Sequence, residues 1–245
     1  MGGKLRTQEN YKQLAIENLD KLARLLQEGP RSLTYYLQYT YEYAVYWFYL
    51  KDFERAREAS LVYSLFTYDN NEKIEAYSRI IGLFQSALFR GLALHSDEAN
   101  QIWQQIIDLR RSSFIEADIY QKKPGWRIGC AWVYEAYALT KLGRYAEVTE
   151  PARIGHEAIR RGKGINPTPY VNALEFGLSK VLIELANYQL SPDEKQKKAA
   201  QKALQAYKDN NFKYYRMGYA VIFDLQFTYP DVFTPVLPGS NPDMD

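Results

Sequence analysis

One cysteine, Cys130, leaves this chain of 245 residues without a partner for an internal disulfide and without the thiol set of a zinc site. Such sparing use fits a reducing compartment, and a cytoplasmic protein is expected. Two histidines, His95 and His156, are too few for a His-based metal cluster without carboxylate help. Charge of either sign is scarce in excess: 31 basic against 29 acidic residues give +2, too weak a field to argue for nucleic acid or an anionic membrane. There is no run of about 18 apolar residues, so no membrane-spanning helix is expected. The opening MGGKLRTQEN has no apolar signal core, and Arg6 stands where a myristoylation motif needs Ser or Thr. Nucleophile elbows, phosphate loops and metal spacings are missing as well, and Arg161-Gly162-Lys163-Gly164 is too short for a phosphate motif and is read as a helix stop. No cofactor and no metal are expected.

Rings, by contrast, are plentiful. Nine of the fifteen residues in YYLQYTYEYAVYWFY (35–49) are aromatic, while Gln38, Thr40 and Glu42 rule the stretch out as a membrane span. Strand-like alternation is nearly absent, and Gly and Pro fall where helices should stop and start. The pattern predicts about ten helices. The first covers 7–27 and the second runs from a Ser32 cap to about Leu50. Others begin after Asp52, after Asn71 and at Ser96 or Asp97. Residues 112–125 are expected to connect with a short helical turn. Helices then cover 126–142 and a segment ending at Arg161. Thr168-Pro169 and Ser191-Pro192, the latter with Glu194 as a capping-box partner, announce two more. A last helix spans 212–227. The expectation is one all-α domain, 1–228, followed by a Pro-rich tail, 229–245.

Helix pairs recur at LKDFERA (50–56), LHSDEAN (94–100), LGRYAEV (142–148) and LSPDEKQ (190–196), roughly 45–48 residues apart, the length of a long helical hairpin. AWVYEAYALTKLGRYAEV (131–148) resembles a tetratricopeptide repeat through Trp132, Ala136, Ala138, Gly143 and Tyr145. Glu135 stands where that family has Leu, and Val148 where it has Ala. YEYAVYWFYLKDFERA is similar through Ala44, Phe53 and Ala56, and a third unit keeps Ala99. The resemblance implies a tetratricopeptide-like α-solenoid; an irregular helical bundle is the alternative.

At 100° per residue, Tyr35, Tyr36, Tyr39, Tyr43, Tyr46, Trp47 and Leu50 share about a third of the second helix, with Leu37, Tyr41, Ala44 and Phe48 on another side. A helix apolar on two sides is sandwiched, so most of these rings belong to a core. The resemblance implies that the inner face of the first helix of each pair binds peptides. The positions it marks are Gln38, Tyr41, Glu42, Val45 and Tyr49 on the second helix and Val133, Tyr134, Tyr137 and Lys141 on the sixth. The expected function is a non-enzymatic module presenting this aromatic groove to a protein or peptide: an adaptor, a regulator or an immunity-type inhibitor.

Two other classes compete. An all-α enzyme would use His95 beside Ser96-Asp97-Glu98, although a histidine in a last helical turn also complements the dipole. A nucleic-acid-binding repeat would gather Arg110-Arg111, Lys122-Lys123, Arg160-Arg161-Lys163 and the lysines of 195–202, which otherwise read as solvated faces. Cys130 is expected to be buried and inert. VFTPVLP (232–238) reads either as a loosely packed terminus or as a segment that docks on the groove, on the end of the stack or in another subunit of a homodimer.

Overall fold

The computed structural model describes residues 8–28, 43–48, 50–65, 72–116, 118, 125–162, 171–211 and 216–233. Over these residues the chain is helical throughout. The helices are α1 (Gln8–Gln27), α2 (residues 43–48), α3 (Phe53–Leu65), α4 (Glu72–Leu92), α5 (Ser96–Ser113), α6 (Gly125–Lys141), α7 (Thr149–Gly162), α8 (Val171–Leu190), α9 (Glu194–Asn211) and α10 (Arg216–Thr228). A 3-10 turn, Tyr145–Glu147, precedes α7. No strand occurs among the described residues. The starts expected at Ser32, Asn71 and Thr168 lie outside them, as do Lys122 and Lys123.

Three helices end in the same way. After α2, the amide of Lys51 donates to the Phe48 carbonyl (2.9 Å) and that of Asp52 to Trp47 (3.0 Å). After α4, Leu94 donates to Gly91 (3.1 Å) and His95 to Arg90 (2.9 Å). After α6, Gly143 donates to Thr140 (3.1 Å) and Arg144 to Leu139 (2.9 Å). Each pair closes a Schellman motif over a left-handed residue, with φ of 62° at Lys51, 64° at Leu94 and 69° at Gly143. Equivalent turn positions are therefore 51, 94 and 143. The sequence alignment on Leu50, Leu94 and Leu142 is out of step by one residue at the second turn. Only Gly143 meets this backbone without a Cβ; Lys51 and Leu94 carry strain on the order of 1–2 kcal/mol.

Side chains set the starts of α3 and α9 but not that of α5. Asp52 Oδ1 accepts the Arg55 amide at 3.0 Å, as expected. Asp193 Oδ1 accepts the Gln196 amide at 2.7 Å, so Asp193, not Ser191, caps α9 and Glu194 is too early to close a capping box. His95 occupies the cap of α5 with no side-chain cap bond, and Ser96 and Asp97 lie inside the helix, where Asp97 and Glu98 face its positive end.

Successive helices from α3 to α9 pack each on the next, and α6 also lies between α4 and α8. That enclosure explains the composition of α6, in which every residue from 128 to 140 is buried. Cys130 is among them, a buried thiol as expected. The crossing of α6 on α7 is close because neither helix has a side chain there. A methyl on Gly155 would stand 2.6 Å from the Gly129 carbonyl oxygen and 2.7 Å from Val133 Cγ2. Gly155→Ala should therefore lower stability by about 1–3 kcal/mol, read as a lower urea midpoint, despite the roughly 1 kcal/mol by which alanine favours a helix. An unchanged midpoint would mean that the two helices can separate without loss.

On α2 the buried side is rotated from the expected stripe. Ala44, Val45, Tyr46 and Phe48 are buried, whereas Tyr43 and Trp47 are half-buried, packed edge to face at 6.0 Å. The cause is cover from two directions: Tyr46 packs with Leu19 and Leu22 of α1, and Phe48 meets Phe53 of α3 and Phe89 of α4 at 5.9 and 5.8 Å. The tail boundary also moves. Tyr229, Val232 and Phe233 are buried in the main core, so the domain extends at least to Phe233. Residues 234–245 lie outside the described ones.

Candidate functional site: the face covered by α10

The expected groove residues separate on contact with the structure. Gln38, Tyr41, Glu42 and Tyr49 lie outside the described residues. Val45, Val133 and Tyr134 do not line an open groove: each is buried, Val133 turned toward Gly155 of α7 and the Tyr134 ring tilted against Phe84 of α4 at 4.5 Å. Helix α6 is enclosed on too many sides to leave these positions free. Tyr137 also has its ring in the core, against Phe84 (5.0 Å) and Trp103 (5.5 Å). Its hydroxyl, however, emerges beside Lys141, and both meet α10.

Asp224 of α10 is the centre of that contact. The Tyr137 hydroxyl donates to Asp224 Oδ2. Lys141 Nζ lies 2.8 and 2.9 Å from the two carboxylate oxygens and 2.7 Å from Thr228 Oγ1. The Asp224 side chain is 2% exposed and that of Lys141 10%, so this is a buried pair, stabilising only while both members are present. Helix α4 passes close by, where a methyl on Gly91 would lie 3.9 Å from Asp224 Oδ1. Around this point the segment makes contacts of three other kinds. Phe223 lies 6.0 Å from the rings of both Phe48 and Phe53. Tyr229 donates its hydroxyl to the Thr140 carbonyl at 2.9 Å. Gln201 of α9 donates to the Val232 carbonyl at 2.9 Å. Residues 223–233 thus run from α2 and α3, over the C-terminal ends of α4 and α6, to α9.

Burial pushes the Tyr137 phenol well above its ordinary value of 10, and the negative charge of Asp224 adds to the shift. Burial raises Tyr229 in the same direction, assisted by a hydrogen bond with Tyr145. A raised folded value means that the folded state keeps protons that the unfolded chain releases. The associated stability is complete below pH 10 and falls as pH rises beyond it. Stability should therefore fall more steeply above pH 10 in the wild type than in Tyr229→Phe, the difference approaching about 1.4 kcal/mol per pH unit. Urea midpoints across this range check the slope; equal slopes for the two proteins would refute it.

Both histidines and two of the basic clusters are tied into the scaffold. His95 Nε2 lies 2.7 Å from Glu54 Oε1 and its Nδ1 3.4 Å from Glu98, while Arg90 and Arg57 reach Glu98 at 3.0 and 3.5 Å. The His95 hydrogen bond holds Glu54 below its ordinary value, and the Arg90 bond does the same for Glu98. Glu98, set beside His95 in the enzyme reading, and Glu54 thus join α3 to the α4–α5 turn. His156 Nδ1 meets Ser179 Oγ at 2.9 Å, joining α7 to α8. Two of the basic clusters are likewise engaged: Arg160 and Arg161 bind Glu157, and Arg110 and Arg111 bind Glu135. Among the described residues no group of three or more side chains could hold a metal ion, and no helix is long and apolar enough to cross a membrane.

Asp224 had no place among the sequence candidates. The available signal was its isolation: it is the one acidic residue in RMGYAVIFDLQFT, an otherwise mostly apolar helix. Compared with protein-family models, curated proteins and solved structures, the chain matches none.

Proposed function

We propose that this chain is a non-enzymatic protein-interaction scaffold, a tetratricopeptide-like stack of helical hairpins that works in the cytoplasm and takes a protein segment on the face formed by the C-terminal ends of α2, α4 and α6. The observation that carries the reading is the way this face holds residues 223–233. An edge contact with Phe48 and stacking on Phe53, a carboxylate held by Tyr137 and Lys141, and a backbone carbonyl bound by Gln201 are the contacts that recognise a peptide. Aromatic anchors around a desolvated charge pair form the kind of centre where binding energy concentrates.

The test is capture from the source cells with tagged full-length protein, in parallel with Lys141→Glu and with Lys198→Glu on the exposed side of α9. One protein recovered in near-stoichiometric amount, lost with Lys141→Glu and retained with Lys198→Glu, supports the scaffold. Equal recovery by both variants, or recovery of nucleic acid alone, overturns it.

A further inference from the structure

On a different surface, and beyond that reading, we propose that the outward face of α9 is a docking site for a short acid-rich protein segment. Charge of one sign accumulates there. From Lys195 to Lys208 the chain has five lysines and no acidic residue. The other 26 basic residues are outnumbered by 29 acidic ones, so the net +2 of the whole chain comes from this one stretch. Ala200, Leu204 and Tyr207 turn to the core, and Lys195, Lys198 and Lys202, at i, i+3 and i+7, line the opposite, exposed side. Lys197 and Lys208 flank it, half-buried.

These lysines differ from the arginines of α7. There Arg153 lies 2.9 Å from Glu150, and Arg160 and Arg161 lie 2.7 and 2.8 Å from Glu157, so that face neutralises itself. On α9 only Lys198 has a carboxylate near it, Glu194 at 3.8 Å, with both side chains 71% exposed. Lys195, Lys197, Lys202 and Lys208 have no acidic partner among the described residues. The helix itself opposes the arrangement. It begins at Glu194, so Lys195 and Lys197 stand in its first turn, at the positive end of the dipole, where a cation is disfavoured. An anion laid along the face relieves both the mutual repulsion of the lysines and their conflict with the dipole.

The extent of the charge selects the class of anion. It covers about 20 Å of helix. A nucleic-acid backbone or an anionic membrane reaching past it meets a chain that is otherwise net acidic. The lysine face has neither an arginine to fork a phosphate nor a ring to stack a base, and the apolar side of α9 is turned to the core, away from any bilayer. A protein segment with carboxylates at helical spacing answers the lysines one by one.

The test is fluorescence anisotropy of a labelled oligoglutamate peptide of about 14 residues, long enough to span the face, with the full-length protein at low salt. Lys195→Gln, Lys198→Gln and Lys202→Gln made together should weaken binding at least about tenfold. Arg153→Gln, Arg160→Gln and Arg161→Gln made together change the net charge equally and should leave binding within about twofold. Labelled oligothymidine DNA of the same charge should bind at least about tenfold more weakly than the peptide. Absence of peptide binding to the wild type, equal losses in the two variants, or DNA bound as tightly as the peptide would each overturn the proposal. The urea midpoint of the lysine variant should stay level or rise, because the lysines repel one another and the helix end. A lower midpoint would make them structural and overturn it as well.

Discussion

Glu135→Ala is expected to lower stability by about 3–5 kcal/mol, the range for removing one member of a buried ion pair. Glu135 is 1% exposed on α6 and receives two arginines from α5. Arg111 Nε lies 2.6 Å from Oε1, and Arg110 meets Oε2. Arg110 is itself buried; its guanidinium lies 3.8 Å from the centre of the Trp132 ring, and its Nη1 is 3.3 Å from the Phe114 carbonyl. Without Glu135 this buried cation loses its carboxylate partner. Arg111 is 44% exposed and can turn outward, so the cost concentrates on Arg110. The position is also where the resembled repeat has leucine, which supplies a second experiment. Glu135→Leu alone should destabilise much as alanine does, because Arg110 stays unpaired. Glu135→Leu with Arg110→Met should recover most of the loss, because an apolar pair replaces an ion pair with little net change. The two substitutions should therefore be strongly non-additive in a double-mutant cycle read by urea denaturation. Additive losses would mean that the pair is not coupled.

That ion pair marks where reading along the chain stops working. Local signals served well. An all-α fold follows from helical periodicity; Asp52 caps α3, and Gly143 ends α6 on the left-handed backbone that glycine suits best. Departures arise where a choice between neighbouring residues depends on geometry a few ångströms away. Asp193 caps α9 because its carboxylate, two residues past Ser191, reaches the third amide. The buried side of α2 is rotated because α1 covers Tyr46 while α3 and α4 cover Phe48. The groove residues are the clearest case. The resemblance marked Val133, Tyr134, Tyr137 and Lys141 as one face, but it carries no information about what stands opposite. Helices α4 and α7 bury the first three, and α10, more than 80 residues further on, supplies the acid for Tyr137 and Lys141. A repeat pattern describes contacts within and between adjacent units; a segment that crosses several units has no counterpart in it.

Trp103→Ala should have an effect of similar size, about 3–5 kcal/mol for truncating a fully buried large aromatic. Trp103 of α5 is 1% exposed and stands between two rings, 5.7 Å from Phe84 in an edge arrangement and 5.5 Å from Tyr137. Its removal opens a cavity directly behind the ring whose hydroxyl holds Asp224. Two outcomes are expected. The urea midpoint falls steeply, and hydrogen exchange in 218–228 accelerates more than in α9, because Tyr137 no longer has a fixed position from which to hold α10. Trp47→Ala is the control. Trp47 is half-buried, with Arg55 stacked 4.5 Å from its ring and Tyr43 at its edge, so its loss should cost about 1–2 kcal/mol, the ordinary range for a partly exposed residue. The contrast decides which rings bear the core. Were Trp47→Ala to cost as much as Trp103→Ala, the long aromatic stretch would be the centre of the fold, and the assignment of that centre to Phe84, Trp103 and Tyr137 would be wrong.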